Sequence, residues 1–327
     1  MTKTGIEWTQ VTWNPSAGCS IVSPGCTNCY AMRMANRIQH NPKLLKSAYR
    51  GVTKKSKGGP VWTGRVNIAQ GAMRKPLAWR KPRFVFVNSM SDVFHETLTS
   101  VQIARIWAVM AVASQHTYQV LTKRPHLMLK WLSDPATPAA VELAMQAIKT
   151  GAQLTEWPLS NVWCGTSTED HRRAQERIPT LLQVPAAVRF LSMEPLLGGI
   201  DLDAIMSESD FGKLDWVIVG GESGPKSRPM HPAWAKQIRD VCVQRGVRFF
   251  FKQVGSWAWA SNQQATHWLD IAGNLHDGHI SGAQGIRFGS KKAGGRKLDD
   301  RLWEEMPRAA ANQHSLFPSF NPMRQAS

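Results

Sequence analysis

The sequence predicts an α/β fold built on a parallel (β/α) barrel, partial or complete, and three observations predict it. Short apolar runs recur, rich in β-branched and aromatic residues and mostly without polar alternation, as strands buried on both faces require. Amphipathic helical stretches lie between most of them. Strand–helix alternation repeats about six or seven times, which implies parallel strands joined by right-handed crossovers. With that many units a closed or partly closed barrel leads, and an open doubly wound sheet comes second.

The strands follow in order. Val11-Thr12-Trp13 leads into a cysteine-bearing loop. Phe84-Val85-Phe86-Val87 ends at Asn88-Ser89-Met90-Ser91-Asp92, and Tyr118-Gln119-Val120-Leu121 at Thr122-Lys123-Arg124-Pro125. Val162-Trp163-Cys164-Gly165 ends at Thr166-Ser167-Thr168-Glu169-Asp170, and Val188-Arg189-Phe190-Leu191 at Ser192-Met193-Glu194-Pro195. Trp216-Val217-Ile218-Val219 ends at Gly220-Gly221-Glu222-Ser223-Gly224, and Val247-Arg248-Phe249-Phe250-Phe251 at Lys252-Gln253. Helices are predicted over 100–114, over 138–150, over 170–178 with Pro179 as the stop, and over 232–245. Residues 40–83, basic and punctuated by Gly and Pro, read as an insertion within a barrel domain of residues 1–255. Residues 256–327 read as a C-terminal extension with a loose tail.

At 327 residues, 43% of them hydrophobic, the chain is long enough for one large barrel-type domain with a packed core. No apolar run approaches the roughly eighteen residues a membrane helix needs. The opening residues carry no apolar signal region, so a cytoplasmic protein with no membrane partner is expected. Of five cysteines, three crowd into eleven residues, and a reducing compartment makes that a metal or catalytic cluster rather than a disulfide framework. Cys164 and Cys242 fall in a predicted strand and helix and read as small core residues. His95 and His116 lack any ligand-type pattern and read as satisfied surface or core residues.

The net charge of +17 is unevenly spread. No acidic residue lies between Glu7 and Asp92, a stretch that holds fourteen Lys and Arg. Arg287, Lys291, Lys292, Arg296 and Lys297 form a second acid-free stretch. Segregated positive charge attracts polyanions, and Tyr49, Trp62 and Trp79 among the cations suit base stacking as well as phosphate contact. The same residues also read as a solvated basic surface with packed aromatics. Lys54, Lys55 and Lys57 are the leading nucleic-acid candidates.

The cysteine loop, Asn14-Pro15-Ser16-Ala17-Gly18-Cys19-Ser20-Ile21-Val22-Ser23-Pro24-Gly25-Cys26-Thr27-Asn28-Cys29-Tyr30, spaces its thiols C-x6-C-x2-C. Three thiolates on a Gly/Pro-rich loop can wrap one metal centre and leave it an open position. By spacing alone three readings stand: an iron–sulfur cluster, a zinc completed by His40 or another residue, and buried structural cysteines with no metal.

The order of three cysteines after the first strand and then βα units resembles radical S-adenosylmethionine enzymes, which have a TIM-like partial barrel. The chain resembles more closely a phage- and plasmid-associated family of such proteins with little-defined function. The resemblance rests on Glu7-Trp8-Thr9, Thr12-Trp13-Asn14-Pro15, the cysteine loop with Tyr30, Ser89-Met90-Ser91-Asp92 and Leu121-Thr122-Lys123-Arg124-Pro125. It continues through Ser192-Met193-Glu194-Pro195-Leu196, Gly220-Gly221-Glu222-Ser223-Gly224 and Phe251-Lys252-Gln253, covering residues 5 to about 255. Two departures stand out. Six residues separate the first two cysteines where three are usual, and Tyr30 follows the last cysteine where an aromatic residue usually precedes it.

The resemblance implies a [4Fe–4S] cluster on Cys19, Cys26 and Cys29 and S-adenosylmethionine chelated to its open iron. It also implies an electron donor such as a flavodoxin or ferredoxin, and a 5′-deoxyadenosyl radical that abstracts hydrogen from substrate. Under it, Tyr30, Ser89, Asp92, Thr166, Ser167, Glu194, Gly220, Gly221 and Glu222 are candidates for holding S-adenosylmethionine. A turn at the glycine pair and a capped loop at Glu194 are the plainer readings. Lys123, Arg124 and Lys252 either meet a polyanionic substrate or pair with Asp92, Glu194 or Glu222. Three functions therefore compete: a radical enzyme that modifies or repairs nucleic acid, a radical enzyme on a small metabolite or protein, and a zinc-stabilised nucleic-acid-binding protein.

Overall fold

A computed structural model of the chain describes residues 4–44, 47–208 and 212–308. Lys46 of the basic stretch and the expected tail from residue 309 onward lie outside the described residues. All seven predicted strands form, as β1 (Val11–Trp13), β2 (Phe84–Val87), β3 (Thr117–Thr122), β4 (Val162–Ser167), β5 (Val188–Met193), β6 (Trp216–Gly220) and β7 (Arg248–Gln253). They join one sheet in chain order, every neighbouring pair parallel. An order that never reverses has no switch point, which removes the doubly wound alternative. The sheet curls into a half-barrel with β1 and β7 as its edges.

Successive residues of each strand face opposite sides, and both sides are buried. The convex side (Val85, Val87, Tyr118, Val120, Cys164, Leu191, Met193, Val217, Val219, Phe249, Phe251) packs on helices. After α1 (Tyr30–Gln39), which belongs to a separate cluster, the helices α2 (Ser100–Val112), α3 (Pro125–Leu132), α4 (Thr137–Gln146), α5 (His171–Gln183), α6 (Leu202–Ser207) and α7 (Pro232–Arg245) all contribute to this core. The concave side is aromatic: Phe84, Phe86, Trp163, Phe190, Trp216 and Phe250 fill it, with Trp8 lying across them. Trp8 meets Phe86 edge-on at 4.7 Å and Trp216 at 6.2 Å. Gly165 is required here, because a Cβ on it would lie 2.6 Å from the Phe190 ring.

Pro179 does not stop α5, which continues to Gln183. An internal proline removes one helical hydrogen bond and costs about 3 kcal/mol. Burial of Ile178, Leu181 and Leu182 against the sheet offsets that cost. The insertion carries an antiparallel hairpin, Thr53–Ser56 with Gly59–Trp62, which packs on α1 around Ala31, Met32, Ala35, Val52, Trp62 and Met90. Beyond residue 255 four short antiparallel strands form a separate sheet, ordered Trp257–Trp259, Gln284–Phe288, His267–Leu269 and Leu275–His276. The chain then returns to β7: Phe251 N–H donates to the Trp303 carbonyl at 2.9 Å and Glu305 N–H to the Phe249 carbonyl at 3.2 Å, covering that edge. No helix among the described residues is long and apolar enough to cross a membrane.

Candidate functional site

The cysteine loop starts where β1 ends and finishes at the N-terminus of α1, so it lies over the C-terminal ends of the strands, where barrel enzymes carry their sites. Its first turn is fixed by Gly18, which has φ +104° and whose Cβ would lie 2.1 Å from the Arg65 carbonyl oxygen. Cys19, Cys26 and Cys29 all line one cavity of about 280 Å³. Tyr30, Ser89, Asp92, Lys123, Arg124, Ser167, Glu194, Gly221, Glu222 and Lys252 line the same cavity, so the ends of β2 to β7 converge on the thiols.

Other predicted residues lie elsewhere. Thr166 is buried and its hydroxyl donates to the Thr122 carbonyl at 2.8 Å. Gly220 sits behind Glu194, where a Cβ would come within 2.6 Å of Glu194 Oε1. Lys54, Lys55 and Lys57 are exposed on the hairpin, away from the cavity, although Trp62 at the hairpin's end lines it.

The strand-end cations pair with carboxylates. Arg124 meets Asp92 at 3.1 Å and Glu96 at 2.6 Å, Lys252 meets Glu194 at 3.0 Å, and Lys123 meets Glu169 at 2.9 Å. Asp92 also accepts from the Thr122 hydroxyl at 2.7 Å and from the backbone N–H groups of Phe94 and Lys123. Glu222 accepts from Asn28 at 2.9 Å and from three groups of Arg228 at 2.6 to 3.0 Å. Asp92 and Glu222 are thus hydrogen-bonded within the protein, whereas Ser89, Ser167 and Glu194 present polar groups to the cavity with fewer internal bonds. Burial would raise the Glu222 carboxyl, but the hydrogen bonds from Arg228 and Asn28 hold it below its ordinary value.

All five cysteines are free. Burial pushes the Cys19 thiol up to about 12, with Asp92 adding and Arg124 opposing. Burial also pushes Cys29 up, opposed by the backbone N–H groups of Ala31 and Met32 at the start of α1. Both are protonated thiols at neutral pH, and a metal must displace those protons to bind. Among the described residues no three His, Cys, Asp or Glu side chains stand as a ready-made cation cage. The donor chemistry still fits a soft centre, since three thiols and no histidine face one cavity. His40 is exposed at the end of α1, bonded to the Asn36 carbonyl at 2.8 Å and outside the cavity, so it is not the fourth ligand of a zinc site here. Cys164 and Cys242 are core residues. His95 is buried between Ser20 and Thr97, and His116 is buried against the Pro76 carbonyl.

A family described as "Protein of unknown function (DUF5131)" matches residues 3–307. The chain belongs to this family. No curated protein and no solved structure matches it. The family match spans the half-barrel, the basic insertion and the C-terminal sheet alike.

Several site residues of this DUF5131 member escape sequence reasoning. Glu169 is the foremost: its side chain is fully buried, and it accepts from Lys123, Arg177 and the Gly25 backbone N–H. Burial would raise its carboxyl, but Lys123, a hydrogen bond from Ser23 and Arg177 hold it down at about 2. Its signal was present, since an acid directly after a buried strand needs a partner. Asn28 and Arg228 had no such signal. Of the aromatics among the early cations, Trp79 packs against His116 at 5.7 Å.

Proposed function

We propose that this chain is a radical S-adenosylmethionine enzyme that acts on nucleic acid. One observation carries the proposal: three thiols after the first strand of a parallel half-barrel open into the cavity on which the polar ends of six further strands converge. Cys19, Cys26 and Cys29 would hold the [4Fe–4S] cluster, which with S-adenosylmethionine and an electron from a flavodoxin- or ferredoxin-type donor supplies a carbon radical for hydrogen abstraction.

The chain's own residues bind and shield. Tyr30, Ser89, Ser167, Glu194 and Gly221 offer hydroxyls, a carboxylate and close backbone approach for the amino-acid and ribose portions of S-adenosylmethionine, while Glu222, its oxygens taken by Asn28 and Arg228, holds the cavity wall. Trp8, Phe86 and Leu121 form an apolar floor that excludes water. The lysines of the 53–62 hairpin attract phosphates, and a base would enter the cavity from a single strand or by flipping out of a duplex.

Anaerobic reconstitution with iron and sulfide tests the reading. The protein should turn brown, hold about four irons per chain and cleave S-adenosylmethionine under reduction. Replacing all three loop cysteines by Ala should abolish colour and cleavage together. A colourless protein with stoichiometric zinc would overturn the enzyme reading in favour of a zinc-stabilised binding protein.

A further inference from the structure

We infer that Arg124, Glu169 and Glu222 are positioning residues that brace the cysteine loop from three different strand ends, an inference that rests on that loop being the metal-binding element proposed above. Each cysteine has a chain neighbour tied to one brace. Ser20, next to Cys19, accepts from Arg124 Nη2 at 3.2 Å. The backbone N–H of Gly25, next to Cys26, donates to Glu169 Oε1 at 3.2 Å. The side chain of Asn28, next to Cys29, donates to Glu222 Oε2 at 2.9 Å and to the Lys226 carbonyl at 2.8 Å. The braces follow β3, β4 and β6, and lie 104, 144 and 194 residues from the positions they hold.

Each brace is itself immobilised. Arg124 is gripped by Asp92 and Glu96, Glu169 by Lys123 and Arg177, and Glu222 by Arg228. Charges buried in this way are stable only in the geometry that satisfies them, so they form rigid anchors. Gly25 seats directly on one anchor: a Cβ there would lie 2.9 Å from Lys123 Nζ and 3.0 Å from the Glu169 carboxyl carbon. A loop rich in Gly, Ser and Pro has much conformational freedom to lose. Bracing it in the free protein lowers the ordering cost of metal binding.

The test reads the metal-free, full-length chain, following the rate at which each cysteine reacts with a thiol reagent, resolved by peptide mass. Asn28→Ala removes the Glu222 contact together with the one to the Lys226 carbonyl and leaves the Glu222–Arg228 pair intact, and Glu169→Gln weakens a second brace. Cys29 in the first variant and Cys26 in the second should react about tenfold faster, the scale of one lost hydrogen bond to a charged group. Cys164 and Cys242, buried in the core, should keep their wild-type rates. If Glu169→Gln unsettles the fold, Asn28→Ala still decides the matter. Unchanged loop-cysteine rates in Asn28→Ala overturn the inference, as does a parallel rise at Cys164 and Cys242. The labelling needs no metal, so it is independent of whether the wild-type chain takes up iron, which tests the proposed function alone.

Discussion

At the scale of single residues, Glu169 concentrates the site's electrostatics. Its carboxyl is held at about 2 against an ordinary 4.5, because Lys123, Ser23 and Arg177 outweigh the effect of burial. The folded state therefore binds its proton less readily than the unfolded chain does. The associated stability is fully present above pH 4.5 and is lost as pH falls from there towards 2. At about 1.4 kcal/mol per pKa unit, the amount is on the order of 3 kcal/mol. Urea midpoints at pH 7 and pH 3.5 should fall further apart in the wild type than in Glu169→Gln, which cannot titrate there. Equal separations in the two proteins would show that the Glu169 pairing adds no pH-dependent stability.

At the scale of elements, the half-barrel depends on how tightly its concave aromatic face is packed. Gly165 in β4 and Phe190 in β5 are neighbours with no space between them, since a Cβ at 165 would lie 2.6 Å from three ring atoms. Gly165→Ala should cost about 1–3 kcal/mol in chemical denaturation, as overpacking a filled core does. Adding Phe190→Leu should recover part of that loss, because the two substitutions share one contact and do not add. A double variant no more stable than the sum of the singles would remove the steric account. The seven strands were legible because strands buried on both faces read as unbroken apolar runs, and their polar ends marked the cavity rim. Helix α1 was not, because it starts at Tyr30 with no side-chain cap from Cys29 before it and no acidic residue in its first turn. The C-terminal sheet was not, because strands of two to five residues carry too little pattern. The braces on the loop could not be read at all, since Asn28 and Glu222 are brought together only by the closing curl of the sheet.

At the scale of the whole molecule, the charge distribution separates a nucleic-acid substrate from a small one. The cavity-facing cations Lys123, Arg124 and Lys252 are paired with carboxylates, so they leave little net charge to attract a polyanion. A polyanionic substrate would have to be attracted from outside the cavity, by the acid-free first quarter and above all by Lys54, Lys55 and Lys57 on the exposed hairpin. Each phosphate those lysines neutralise releases counterions, so affinity should fall steeply as salt rises. Replacing the three by Gln should weaken binding of a single-stranded oligonucleotide and lower the log–log salt slope by about 2, at roughly 0.7 per lost contact. The iron content of the reconstituted protein should stay at the wild-type level, because none of the three lines the cavity. An unchanged slope would make the hairpin a merely solvated surface and return the substrate to the class of small molecules that the cavity alone can select. A slope lowered as expected, with the iron retained, would place polyanion capture and iron binding on separate elements, the hairpin gathering the strand and the half-barrel holding the metal.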